Sequence, residues 1–404
     1  MCELLVINSG SSSIKYQLFA GNGLETIASG TLERIGERQS LFHNHCFSGA
    51  EHAESRQRLV VADHHAGLSV IAAQLETSGA LNSFSALDAI GHRVVHGGER
   101  FSKASLIDDS VLEGIRDVIP LAPLHNPANL LGIEVAMQLA PDVPQVAVFD
   151  TAFHQTMPDH ASRYALPAEL YTHHQVRRYG FHGTSHAWVA RQAAGFLGRP
   201  LEALNLITLH LGNGASAAAI AKGRCMDTSM GMTPLEGLMM GTRCGDLDPA
   251  IPFYLGRATG KDNDAIESLL NRESGLKGVC GVNDMREVLR LVDDGDEAAR
   301  LALDMYCYRI RKYVGAYLAA LGRVDAVVFT GGVGENAARV RLQCCQELDS
   351  LGILVDEERN EKGNGTFAFS QNGSPVSLLA IPTDEEREIA RQTVECLRPP
   401  PEKW

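Results

Sequence analysis

Three segments combine glycine with small hydroxyl or amide side chains: Asn8-Ser9-Gly10-Ser11-Ser12-Ser13, Gly212-Asn213-Gly214-Ala215-Ser216 and Gly331-Gly332-Val333-Gly334-Glu335-Asn336. Where no Cβ intervenes, backbone N–H groups in such loops approach phosphate oxygens closely. Any one of the three reads equally well as a turn. Together, two of them inside a repeated hairpin pattern, they favour a nucleotide site. Arg93 interrupts the apolar run 90–95, Asp150 ends the run 146–149, and Arg243 closes Met239-Met240-Gly241-Thr242. A lone arginine in such a run is usually an ion-pair partner, and an aspartate at a strand end often caps a turn. Loops at strand ends are also where α/β proteins hold their chemistry, so residue types alone leave the two readings balanced. His182 and His186 fall one helical turn apart with no accompanying carboxylate. That disfavours a metal pair and favours one of them as a catalytic cation.

The elements that must position these groups alternate along the chain. Leu4–Ile7, the polar turn 8–13 and Ile14–Phe19 read as a hairpin. The pattern returns at Leu206–Leu209, the turn 210–216 and Ala217–Ala221. Downstream of each hairpin a second echo occurs, Leu87–Ile90 leading to His96-Gly97-Gly98-Glu99 and Val324–Val328 leading to Gly331–Glu335. Two echoes in one order predict an internal duplication, too degenerate for a solenoid. Helices are expected from an Asn126 cap followed by Pro127, after Thr184, over 298–321, and from a Thr383/Glu386 capping box. Cys344 and Cys345 read as part of a helix. Strands interleaved with helices predict an α/β fold. The polar segments 40–66 and 357–375 read as surface loops.

With 404 residues, 45% of them hydrophobic and 21% charged, the chain is long enough for two globular cores. A net charge of −13 argues against nucleic-acid partners and anionic membranes. The nine cysteines lack zinc-type or C-x-x-C spacing and read as reduced thiols. Met1-Cys2-Glu3 followed by Leu4–Ile7 lacks the pattern of a signal peptide, and no apolar run is long enough for a membrane span. Gly256-Arg257-Ala258-Thr259-Gly260-Lys261-Asp262 is one residue short of a P-loop and ends in Asp. No G-x-G-x-x-G, zincin or G-x-S-x-G pattern occurs, which removes the main support for dehydrogenase, metalloprotease and hydrolase readings.

Longer motifs point further. Asn8 to Lys15 resembles the N-terminal signature of the acetate kinases, and Gly231 to Arg243 resembles their second signature. Asp150-Thr151-Ala152-Phe153-His154, Tyr179 to His186 and His210-Leu211-Gly212-Asn213-Gly214 match as well. The likeness covers nearly the whole chain except the region near 40–60 and the tail Pro399–Trp404. It implies two duplicated ribonuclease-H-like domains flanking an ATP cleft, residues 1–150 with 385–404 and residues 151–384. It further implies a cytoplasmic homodimer using ATP/ADP with Mg²⁺ or Mn²⁺. By the same resemblance, Asn8 and Glu385 hold the metal, and Arg93 binds the carboxylate. Asp150 is the essential acidic residue, with His182 and Arg243 as transition-state stabilisers. Val95, Leu124, Phe181 and Pro234 line a methyl pocket. Lys15, His210, Leu211, Gly212, Asn213, Gly214, Asp284, Met285, Arg286, Gly332, Val333, Gly334, Glu335 and Asn336 bind the nucleotide. Cys244 stands where serine is common, and 281–284 lacks the usual serine.

Physical chemistry explains the residue types. A small carboxylate is already ionised at neutral pH, so Asp150 is not needed as a base and is expected to orient an arginine or a metal-bound water. The obstacle is bringing one anion onto another, which Arg93, Arg243, His182 and the metal would screen. Val95 resembles acetate-specific members, whereas propionate kinases tend to have alanine there. Propionate kinase is the alternative function, and an actin- or chaperone-like ATP-binding protein is a distant one.

Overall fold

The computed structural model describes residues 3–21, 23–48 and 51–398. The expectations for Met1-Cys2 and for the tail after Arg398 fall outside the described residues. The chain divides into two units, one formed by residues up to 153 together with those from 384 onward, the other by residues 154–383.

The first unit is built on strands β1 (Glu3–Ser9), β2 (Ser13–Ala20), β3 (Glu25–Glu33), β4 (Ser40–Ser48), β5 (Glu51–Leu59), β6 (Ala89–Val94), β7 (Ser105–Leu106) and β8 (Gln145–Phe149). They form one sheet in the order β5-β4-β3-β2-β1-β6-β8-β7. β1 is central, antiparallel to β2 and parallel to β6. Leu4, Leu5, Val6 and Ile7 are all buried, as a strand covered on both faces requires. Leu4 and Val6 pack against Ile389 and Ala390 of the helix Glu385–Leu397. Leu5 and Ile7 pack on the other face with Leu68, Ile71 and Val135, from the helices His64–Thr77 and Asn126–Leu139. Gly91 admits the last helix: a Cβ there would lie 2.5 Å from Thr393 Oγ1.

The second unit uses β9 (Asn205–Leu211), β10 (Ala215–Ala221), β11 (Arg224–Thr228), β12 (Ala326–Thr330), β13 (Phe367–Ala368) and β14 (Ser377–Ala380). Their order is β11-β10-β9-β12-β14-β13. β9 is antiparallel to β10 and parallel to β12, β12 is parallel to β14, and β13 is antiparallel to β14. This repeats, strand for strand and in direction, the order β3-β2-β1-β6-β8-β7 of the first sheet. The two echoes of the sequence are therefore equivalent strands of duplicated sheets. The helices Gly183–Leu197 and Glu297–Leu321 pack on β9.

Four local expectations are corrected. Residues 40–66 contain the β4–β5 hairpin in place of a loop. Phe42, Asn44 and Cys46 alternate inward on β4, and Asn44 is buried because its Oδ1 accepts the Tyr16 hydroxyl. Within 357–375, Glu357–Lys362 is a helix capped by Asp356, and β13 follows. The last helix is capped by Asp384, whose side chain accepts from Arg387 N. Thr383 instead donates its backbone N–H to Glu335 Oε1 at 3.1 Å, and Glu386 pairs with Lys15 at 2.7 Å. Asn126 is the first helical residue and not the cap, its amide being used on the backbone N and O of His96. The described cysteines are free thiols, and Cys344 and Cys345 end the helix Ala338–Cys345. Among the described residues no helix is long and apolar enough to cross a membrane.

Candidate active site

In the first unit the chemistry gathers where parallel strands end. Arg93 lies opposite Val148 in the β6–β8 register, and Asp150 N donates to Val94 O, so one strand end presents the arginine and its neighbour the aspartate. Arg93 grips Asp150 bidentately, Nη2–Oδ2 at 2.6 Å and Nε–Oδ1 at 3.2 Å. Glu385 Oε2 lies 3.9 Å from Arg93 Nε. Burial opposes the guanidinium charge, but Asp150, with Glu385 and Glu386 adding, outweighs it and holds Arg93 more firmly protonated than an ordinary arginine. Asp150 is 1% exposed while the Arg93 side chain keeps 20%, so the pair presents its cationic end to the surface of the unit. Asn8 lies one residue before the end of β1, opposite Lys15, and Glu385 opens the last helix. Val95 is half-buried, its backbone N donating to Asn129 Oδ1 at 3.0 Å. Leu124 is exposed within its unit.

Among the described residues no cluster of three or more His, Cys, Asp or Glu side chains forms a cation cage. One carboxylate and one amide, Glu385 and Asn8, fit Mg²⁺, which keeps several waters and takes other ligands from nucleotide phosphates.

In the second unit the β9–β10 turn, the helix Gly331–Asn336 and the start of the helix Met285–Asp293 surround a cavity of about 600 Å³, a size suited to a small-molecule ligand. Gly212, Asn213, Asp284, Met285, Arg286, Gly332, Val333 and Asn336 line it, all of them expected nucleotide residues. Leu276, Asn283, Leu289, Tyr306 and Ala337 complete the wall and were not anticipated; the apolar positions on flanking helices look like ordinary core in sequence. Gly331 adopts φ +76°, and a Cβ there would meet the Leu211 carbonyl at 2.7 Å. Glu335 does not face this cavity: its carboxylate accepts from Gly331 N at 2.9 Å and from Thr383 N, bracing the short helix. Gly334 packs on Phe329, and the Leu211 side chain is core. Asp284 caps the helix and pairs with exposed Arg286 at 2.6 Å. Lys15 belongs to the first unit.

Beside the cavity wall, Gly214 is flanked by His182 and Arg243. A Cβ on it would lie 3.5 Å from His182 Nε2 and 3.6 Å from Arg243 Nη1. Arg243 Nη1 donates to Pro234 O at 3.1 Å, and among the described residues no carboxylate pairs with it. Burial therefore lowers its pKa from the ordinary arginine value. Cys244 donates its thiol to the Gly245 carbonyl at 3.2 Å. His182 precedes the helix Gly183–Leu197 in a left-handed conformation, φ +57°, which is costly for a residue with a Cβ. Its ring stacks on His210 at 4.3 Å, and its Nδ1 lies 2.9 Å from Ser216 Oγ. His210 Nδ1 is 2.7 Å from Ser185 Oγ. Phe181 is buried, and its carbonyl contacts His154 Nε2 at 3.0 Å. His186 is wholly buried, and burial, then His154 and His210, pushes it well below the ordinary histidine range. Of the helical-turn pair, His186 is thus neutral.

The acetokinase family pattern matches residues 3–391. The chain is 56% identical to the acetate kinase of Syntrophobacter fumaroxidans, with 98% of this chain and 97% of that protein aligned. It is 55% identical to that of Streptomyces coelicolor, with 97% and 96% aligned. The crystal structure of Porphyromonas gingivalis acetate kinase superposes with a TM-score of 0.93 at 44% identity, over 98% of this chain and all of that one. A propionate kinase from Francisella tularensis gives 0.92 at 42%, with 98% and 100% covered. With the family pattern and these relatives spanning almost the entire sequence, the chain belongs to the acetokinase family.

Proposed function

We propose that this chain is a kinase that reversibly transfers the γ-phosphoryl group of ATP to acetate, giving acetyl phosphate and ADP. The observation that carries the reading is the half-buried guanidinium of Arg243, unpaired with any described carboxylate, beside His182 at the glycine loop that borders the nucleotide-sized cavity. A desolvated cation without a counter-ion is prepared for an anion that arrives with the substrate.

In this reading Arg93 binds the acetate carboxylate, and Asp150 orients Arg93, as their bidentate contact supports. The carboxylate is ionised already and needs no base. One of its oxygens attacks the γ-phosphorus in line while the bond to the β-phosphate oxygen breaks and ADP departs. Arg243 and His182 stabilise the charge on the transferring group. Asn8 and Glu385 would hold Mg²⁺ or Mn²⁺, which when bound neutralises phosphate charge. The cavity residues of the second unit and Lys15 bind the nucleotide; Lys15 must exchange its Glu386 contact for a phosphate. Val95, Leu124, Phe181 and Pro234 surround the methyl group, and Val95 favours acetate over propionate. The structural likeness to a propionate kinase keeps propionate as the second substrate to test.

The protein is further proposed to be cytoplasmic, in accord with its free thiols, and homodimeric. Exposed Phe253, Tyr254, Leu301, Met305 and Tyr308 on two helices of the second unit support a self-association face. Hydroxamate trapping of acyl phosphate with ATP and Mg²⁺, comparing acetate, propionate and butyrate, tests the function. Acetate is expected to lead. A propionate preference would discard the pocket assignment, and no product from any acid would discard the kinase.

A further inference from the structure

The nitrogen of His182 that faces away from the glycine loop meets a buried chain of polar groups that the phosphoryl chemistry does not itself require. Ser216 Oγ lies 2.9 Å from His182 Nδ1 and 2.8 Å from His186 Nε2. His186 Nδ1 in turn lies 2.7 Å from Thr208 Oγ1. Ser216, His186 and Thr208 are all 0% exposed. The strand register explains the alignment: Ser216 on β10 pairs with His210 on β9, whose neighbour but one is Thr208.

Proton counting constrains this chain. A serine hydroxyl has one hydrogen to give, so between two imidazole nitrogens Ser216 donates to one and accepts from the other. When His182 is an imidazolium its Nδ1 carries a proton, which Ser216 must accept. Ser216 then donates to His186 Nε2, and neutral His186 must carry its single proton on Nδ1, donating to Thr208. In the opposite arrangement His186 carries the proton on Nε2, Ser216 donates to His182 Nδ1, and the imidazolium is disfavoured. We propose that Ser216, through His186 and Thr208, is a positioning relay that fixes the ring orientation of His182 and holds its Nδ1–H, so that the Nε2 edge faces the glycine loop as part of a cation. The other charged or titratable groups around that ring are His210, stacked on it, Arg243 across Gly214, and His154 at 5.7 Å from His186.

This inference rests on the reading of His182 as a phosphoryl-stabilising cation. The test uses full-length enzyme with Ser216→Ala and Thr208→Val. The second variant replaces a hydroxyl by a methyl of similar shape, at a residue whose side chain meets His186. Both are expected to lower kcat about tenfold with KM for acetate and ATP changed less than about twofold. Both are expected to move the alkaline limb of the kcat–pH profile to lower pH by about one unit, the counterpart of a tenfold loss in stabilisation of the cation. Side-chain ¹⁵N spectra, with the His182 signal assigned through His182→Gln, should show the same acid-ward displacement of its titration. Folded variants with unaltered pH limbs and unaltered ¹⁵N titration would overturn the relay, even if kcat fell. A displaced ¹⁵N titration alongside a His182→Gln enzyme of full activity would instead uphold the relay and overturn the catalytic role of His182.

Discussion

Replacing Arg243 with alanine should separate catalysis from stability. The guanidinium is half-buried, donates to Pro234 O at 3.1 Å and to Met240 Sδ at 3.7 Å, and has no carboxylate partner among the described residues. Loss of one transition-state donor costs roughly 10²–10³ in turnover, about 2.7–4 kcal/mol. The fold gives up two ordinary hydrogen bonds, each worth about 0.5–1.5 kcal/mol, and is relieved of a desolvated charge. These terms oppose each other, so the net stability change should be within about 1 kcal/mol, or about 2–4 °C in Tm for a unit of this size. Arg243→Lys restores charge without the planar fork and should recover only part of the rate. Steady-state hydroxamate kinetics and calorimetry on the same preparations provide the comparison. A kcat within tenfold of the parent, or a Tm lowered by about 10 °C, would refute the view of Arg243 as an uncompensated cation kept for the reaction.

Asp150→Asn takes the main counter-charge from Arg93, which keeps Glu385 at 3.9 Å and the weaker influence of Glu386. Here both turnover and Tm should fall, the stability loss lying toward the low end of the roughly 3–5 kcal/mol for breaking a buried pair, and near-normal turnover would show that the pair is not needed. Acid should weaken both units: burial pushes His92, His96 and His154 down to about 4, below the 6.5 they regain on unfolding. Their contribution is complete above pH 6.5 and is lost as pH falls toward 4, roughly 2 kcal/mol per histidine between pH 7 and 5. Urea midpoints that are flat over that interval would contradict the burial of these groups as neutral rings. Val95→Ala should raise the propionate-to-acetate ratio of kcat/KM about tenfold, since one methylene is worth about 1–3 kcal/mol. An unchanged ratio would remove Val95 from the pocket.

The sheets were readable because buried central strands announce themselves: Leu4–Ile7 and Leu206–Leu209 are unbroken apolar runs before glycine turns, and both fall where expected. The β4–β5 hairpin was not, because its inward alternation passes through Asn44 and its outer strand is polar, so a period-2 pattern was hidden by a hydrogen-bonded amide. Helix starts were misplaced by one residue for a related reason: Thr383 and Asn126 carry capping side chains, but tertiary partners claim both. Within the site, the glycine loops and lone arginines stood out by type. Leu276, Leu289 and Tyr306 did not, since a cavity wall made of helix-borne apolar residues has the same sequence signature as a core.

The helix Glu385–Leu397 has a bearing on biosynthesis. It supplies Ile389 and Ala390 to one face of the first sheet, yet it is translated only after the whole of residues 154–383. At typical elongation rates of about 5–20 residues per second, the first unit waits roughly 10–50 s with that apolar face uncovered. A ribosome that stalls in this interval leaves a chain with Leu4, Val6 and Val148 unsheltered and without Glu385. Incomplete synthesis thus yields a product with an uncovered apolar face, conspicuous to chaperones and proteases. The arrangement makes translation of this helix a condition for covering one face of the first strand.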